Sequence, residues 1–249
     1  MKNLLSIDTN TKTVKGQKLG YVTAILYLAP HKISGKNLCP FASAGCAKAC
    51  LYSAGRGKFS NVQQARINKA KLFLDSPREF VFQLANEIEK LYKKYGKQLV
   101  IRLNGTSDIP FENIRVFFNP NKEDYGWNIF EQFSYVQFYD YTKNPKRMGL
   151  NYPNYHLTFS RSEDLKNIEN ARKFLVQGKN VAFVASSEIY KSLLTDKNMY
   201  FNGRKINIVD GDKNDLRFLD PKESLVILKA KGEAKKDKTG FTVLDLNEL

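Results

Sequence analysis

Histidine, tryptophan and methionine are scarce in this chain, with two, one and three residues among 249. With only His31 and His156 and no nucleophile-elbow pattern, Ser/His/Asp hydrolysis is disfavoured. No apolar run approaches the ~20 residues that a membrane-crossing helix needs. The opening Met1-Lys2-Asn3-Leu4-Leu5-Ser6-Ile7-Asp8 turns polar at once and lacks a signal-peptide pattern. The expectation is a soluble, cytoplasmic protein with no membrane partner. Acidic residues are also in deficit, 25 against 40 Lys and Arg, for a formal charge of +15. Such a balance points to a polyanionic partner, nucleic acid or a nucleotide. The alternative is lysine spread over solvated helix faces, as at Lys90, Lys93, Lys94 and Lys97.

Cysteine is as rare, and its placement is the strongest local signal. Cys39, Cys46 and Cys50 are the only three, at spacing C-x6-C-x3-C inside a loop rich in Gly, Ala and Ser. Reduced cytosolic thiols favour metal or catalysis over disulfides, and three soft ligands leave a coordination position open. The expected group is an open-site cluster, with zinc as the alternative, its fourth ligand from His31 or His156. Other readings are a disulfide with one thiol left over, or three small residues packed as apolar groups. The nearby Ser53-Ala54-Gly55-Arg56-Gly57 lacks the Lys-Ser/Thr ending of a phosphate loop, which argues against nucleotide hydrolysis.

Periodicity predicts alternating strands and helices. Strands are expected at 21–28, 99–103, 135–139, 156–159, 181–184, 206–209 and 225–228, after an irregular lead-in over 1–20. Helices are expected from Ser60, as N-cap, to Leu74, and from Pro77 to Gly96 behind a Ser76–Glu79 capping box. Further helices are expected over 164–176 and 187–194. Gln63, Gln64, Arg66, Asn68 and Lys69 form a polar helix face turned to ligand or water. Short apolar strands between helices imply an α/β fold with mostly parallel strands, a partial or open (β/α) barrel. The whole of 1–249 reads as one domain, with the cysteine loop inserted at about 31–60.

In such folds the C-terminal strand ends carry the site. They supply Asn104-Gly105-Thr106-Ser107-Asp108, Asp140, Tyr141, Ser160, Arg161, Ser186 and Ser187. The first run suits a polar ligand, or a turn in which Ser107 or Asp108 caps the next element. Asp210, Asp212, Asp215 and Asp220 surround Arg217; they suit Mg²⁺ or Ca²⁺, or turn-capping with an ion pair, and the latter is favoured.

Leu38-Cys39-Pro40-Phe41-Ala42-Ser43-Ala44-Gly45-Cys46-Ala47-Lys48-Ala49-Cys50, Ala54-Gly55-Arg56-Gly57, Arg102 to Asp108 and Asp210-Gly211-Asp212 follow in that order. The set resembles bacteriophage proteins of the "gene product eighty-eight" family over about residues 15–245, which implies a phage-encoded protein of the host cytoplasm. More distantly the layout resembles radical S-adenosylmethionine enzymes. That resemblance implies a [4Fe–4S] cluster on Cys39, Cys46 and Cys50. It places S-adenosylmethionine at Asn104, Gly105, Thr106, Ser107 and Asp108, with Ser160 and Arg161 also at the cofactor; the basic balance points to a nucleotide or nucleic acid as substrate. The usual spacing in that superfamily is C-x3-C-x2-C, from which this chain departs, and no residue is assigned a catalytic role. The alternatives are a non-catalytic nucleic-acid-binding phage protein with a structural metal site and a metal-free scaffold.

Overall fold

The computed structural model describes residues 3–7, 11–116, 126–195, 199–201 and 203–246. They form an α/β structure of ten mostly parallel strands. The chain divides into two compact units, each assembled from discontinuous stretches. The first comprises Met1–Pro40, Phe59–Asp140 and Asn151–His156; the second comprises Phe41–Lys58, Tyr141–Leu150 and Leu157–Leu249.

In the first unit, β1 (Leu5–Ile7), β2 (Val22–Leu26), β3 (Leu99–Arg102) and β4 (Gln137–Thr142) lie in that order. β2, β3 and β4 are parallel, with Val22 opposite Leu99 and Val100 opposite Gln137, while β1 runs antiparallel to β2. The helices are α1 (Thr11–Gln17), α3 (Ser60–Asp75), α4 (Pro77–Tyr95) and α5 (Ile129–Gln132), with α2 (Ala44–Lys48) belonging to the second unit. Phe80, Val81, Leu84, Ala85 and Ile88 recur at helical spacing on α4 and are buried, as are Ile25, Val100, Ile101 and Phe138 of the strands. That is the one-sided burial an amphipathic helix over a sheet requires.

The second unit orders β5 (Tyr155–Ser160), β6 (Val181–Ala185), β9 (Ser224–Lys229), β8 (Arg204–Asp210) and β7 (Met199–Phe201), with β10 (Thr242–Val243) paired to β6. All these pairs are parallel except β7 with β8. Helices α6 (Leu165–Val176) and α7 (Ser187–Thr195) supply Phe174, Leu175 and Leu193 to a core with Phe159, Phe183 and Ile227. The chain crosses between the units within β4 and β5.

The α/β class with mostly parallel strands is as expected from the periodicity; among the described residues the sheet is not closed, and the barrel part of the expectation is not confirmed. Strands β1 and β7 each have a single neighbour and each runs antiparallel to it.

The expected irregular lead-in is instead ordered as β1 and α1. Glu87 explains β1: its carboxylate accepts the N–H groups of Leu4 (2.8 Å) and Leu5 (2.9 Å), both buried. Lys69 donates to the Leu4 carbonyl at 2.6 Å and is itself buried, which pulls its pKa below the usual lysine value. Arg66 lies 4.8 Å over the Tyr27 ring. Two of the five polar side chains expected on an outward face of α3 are therefore turned to the protein.

The capping box also fails. Ser76 has φ −138° and ψ 64° and makes no side-chain cap bond, because its N–H closes α3 on the Leu72 carbonyl one residue before α4 begins. Pro77 at the start of α4 and Gly96 after it, at φ 53°, stand as read. Among the described residues no helix is long and apolar enough to cross a membrane.

Glu87→Ala leaves two buried strand donors without their carboxylate and Lys69 without a nearby countercharge. The expected loss is about 3 kcal/mol, measured by urea unfolding. An unchanged midpoint would refute this role for Glu87.

Candidate functional site

In the first unit, the run from Asn104 to Asp108 is knitted to its own surroundings. Asp140, 1% exposed, accepts the Asn104 backbone N–H (2.8 Å), its side-chain amide (3.3 Å) and the Tyr155 hydroxyl (3.1 Å), with Arg102 at 3.9 Å. Asn104 Oδ1 accepts from Ser107 Oγ (2.9 Å) and from Ile109 N–H (2.8 Å). Thr106 Oγ1 donates to the Leu28 carbonyl at 2.6 Å, and the Asp108 N–H donates to Leu38. A Cβ on Gly105 would lie 2.6 Å from Tyr27 and 2.7 Å from Ile25, so only glycine allows this close approach. These contacts make the run a brace between β2 and β3. In the second unit, Ser160 Oγ bonds Lys143 at 2.6 Å, and Arg161 donates to the Gly240 carbonyl.

The three cysteines have separate surroundings. Cys39 is buried, and its thiol donates to the Thr106 carbonyl with sulfur 3.6 Å from oxygen. That contact suits S–H; a metal-ligating thiolate there would face a carbonyl dipole of the same sign. Cys46, on α2, packs against the apolar cluster of Ala49, Ala230, Ala234 and Phe241. Cys50 is half-buried where the chain enters a short 3₁₀ turn, Leu51–Ser53. Among the described residues, no group of three or more His, Cys, Asp or Glu is placed to hold a metal ion. Cys39 belongs to the first unit, and Cys46 and Cys50 to the second.

Helix α2 is a five-residue element, too short to persist unaided. Glu163 stabilises it from outside: one oxygen accepts Ser43 Oγ (2.7 Å) and the other accepts the Gly45 N–H (2.6 Å). Ser43 in turn accepts from the Cys46 N–H at 3.2 Å. A Cβ on Gly45 would stand 2.2 Å from Thr239 Oγ1 and 2.8 Å from Phe241 Cβ, so the helix sits flush on the C-terminal turn.

That turn carries five lysines between positions 229 and 238. Asp237 holds it together, accepting from Thr239 Oγ1 (2.7 Å) and the Thr242 N–H (2.9 Å). Partial burial works against the Asp237 charge, but these bonds outweigh it and depress its pKa. Gly232, at φ 56°, brings the turn to Ala54, 3.3 Å from its Cβ position. Lys48, Arg56 and Lys58 of the cysteine segment are exposed, as are Lys231, Lys235, Lys236 and Lys238 of the turn. Sequence reading overlooked both Glu163 and this lysine run; the run could have been found by charge density alone.

The acidic loop after β8 is satisfied by neighbours in its own unit. Asp210 accepts from the Tyr190 hydroxyl and the Asp212 N–H; Asp212 accepts from the Lys229 N–H (3.0 Å) and Lys231 (2.6 Å). Burial first, then the bond to Asp210, raises the Tyr190 pKa. Arg217, fully buried, pairs with Asp220 at 3.1 Å. The capping and ion-pair reading describes this loop.

A family model described as gene product 88 matches residues 3–243. No curated protein and no solved structure matches the chain.

Two outcomes follow for this region. Gly45→Ala forces the α2 backbone off Thr239 and Phe241, lowering stability by about 2 kcal/mol and speeding alkylation of Cys46 in the folded protein; unchanged labelling would show that α2 is not held there. Burial raises the Asp220 pKa to about 6, with Arg217 opposing and Asp215 assisting. The unfolded chain then sheds this proton first, so Asp220 lowers stability as pH rises from about 4 to 6. Asp220→Asn removes that component and gains on wild type across this window by at most about 3 kcal/mol. Parallel urea stability curves for the two proteins would contradict it.

Proposed function

The chain belongs to the gene product 88 family, and we propose that this phage protein binds nucleic acid through the cationic surface of its second unit. The observation that carries the reading is the packing of the cysteine segment on the lysine turn. Cys46 and Ala49 meet Ala230, Ala234 and Phe241, and Gly232 meets Ala54. Two stretches distant in sequence thus present Lys48, Arg56, Lys58, Lys235, Lys236 and Lys238 on one unit, all exposed. The carboxylates near these stretches offset part of this charge. Glu163 is engaged by α2, Asp237 by the turn's own donors, and Asp212 pairs with Lys231. Glu233 is the exposed acid of the turn.

Exposed cations held on short, braced turns attract phosphates by charge without reading sequence, and each phosphate neutralised releases condensed counterions. On this reading the cysteines are small packing residues, and Gly45 and Gly57 permit tight turns. A Cβ on Gly57 would lie 2.3 Å from the Tyr52 carbonyl oxygen. The iron–sulfur reading has the spacing of Cys39, Cys46 and Cys50 behind it, and no ligand group is gathered among the described residues. Stoichiometric iron and sulfide after anaerobic reconstitution would favour it over ours.

Binding to an oligonucleotide should weaken steeply with salt. The triple substitution of Lys235, Lys236 and Lys238 by Ala should lower affinity about ten-fold or more and flatten the log-affinity against log-salt slope by about 2. Cys46→Ala should bind as wild type. A salt-independent interaction, or a triple variant that binds unchanged, would overturn the proposal.

A further inference from the structure

Asp237 stands between Lys236 and Lys238 in the chain, on the turn that carries the proposed phosphate contacts. By charge alone a carboxylate in that place repels phosphate, and its removal should tighten binding. Its bonds point the other way.

The turn begins and ends at two glycines in the left-handed region, Gly232 at φ 56° and Gly240 at φ 91°. Between them the regular structure is one 3₁₀ stretch, Gly232–Lys236, and Lys235, Lys236 and Lys238 are exposed. So short a 3₁₀ element has poor hydrogen-bond geometry and does not hold its shape unaided. Asp237 supplies the closure. Its Oδ1 accepts from the Thr239 hydroxyl (2.7 Å) and the Thr239 N–H (3.2 Å), and its Oδ2 accepts from the Thr242 N–H (2.9 Å). Thr242 is buried in β10, which pairs with β6, and its hydroxyl donates to the Ala234 carbonyl at 2.8 Å. The Asp237 N–H donates to the same carbonyl at 3.3 Å. The three lysines are thus tied on both sides to Thr242 and through it to the sheet. Both carboxylate oxygens serve as acceptors here, and an asparagine can offer only one.

A loop that is ordered only on binding loses freedom at that moment, and the loss is subtracted from affinity. A turn already fixed avoids it. Glu233, exposed on the same turn, is not among the acceptors that close it. Two acids of the same charge therefore differ in what they do for the lysines around them.

We propose that Asp237 is a positioning residue for phosphate binding, strengthening the hold of Lys235, Lys236 and Lys238 on nucleic acid although it carries the ligand's own sign of charge. This rests on the nucleic-acid reading above and deepens it.

Fluorescence anisotropy with a dye-labelled oligonucleotide tests it on the full chain. Asp237→Asn should weaken binding about five-fold, whereas Glu233→Gln should tighten it about two-fold. In the variant with Lys235, Lys236 and Lys238 replaced by Ala, Asp237→Asn should no longer weaken binding, because a positioning residue acts only through what it positions. A general loss of fold would weaken both backgrounds alike. Thr239→Val takes one bond from Asp237 and leaves every charge in place; it should weaken binding about two-fold, and it decides the matter if Asp237→Asn does not fold. Asp237→Asn binding as tightly as wild type or tighter, an equal loss in the triple variant, or Thr239→Val binding unchanged overturns this inference and leaves the nucleic-acid reading standing. A triple lysine variant that binds as wild type overturns both.

Discussion

The cationic surface depends on one carboxylate. Glu163 takes the Ser43 hydroxyl and the Gly45 amide at once, and with them the start of a helix that has no length of its own. Hydrogen bonds to an ionised acceptor contribute roughly 1.5–3 kcal/mol each, enough to fix five residues that would otherwise fray. With α2 held, Cys46 and Ala49 face the apolar patch around Phe241, and the lysine turn finds a floor to rest on. The small side chains of the cysteine segment serve this contact. Gly45 has no room for even a methyl group.

A wider division of labour follows the same rule. Several carboxylates in this chain bond inward: Glu87 on the backbone of β1, Asp140 on Asn104, Asp210 and Asp212 on their loop, Asp237 on its own turn. Most lysines point out. Lys69 and Arg217 are exceptions, buried against a carbonyl and a carboxylate respectively.

Sequence periodicity located most strands to within a few residues, because nearly uniform apolar runs such as Leu99–Leu103 and Leu225–Leu228 have little other use. It missed β1, β7 and β10, strands of three residues or fewer whose pairing is decided by their partners; β1 needs Glu87, more than eighty residues away. The Ser76 capping box was sound locally and lost to geometry, since one residue had to end α3 and begin α4. The cysteine spacing was conspicuous but ambiguous in kind. A cluster loop and a tightly packed loop both ask for thiols among glycine and alanine, so the pattern serves either. For the braced loop at Asn104, composition marked the place, while the inward direction of every amide bond lay outside what a one-dimensional pattern records.

The crossing of the chain inside β4 and β5 has an evolutionary consequence. The second unit is built from three separated stretches, so no contiguous piece of gene encodes it, and neither does one encode its companion. Recombination that swaps whole modules at linkers has no breakpoint available here. Descendants of such a chain inherit both halves jointly, and divergence must come residue by residue or by lengthening the turns between elements.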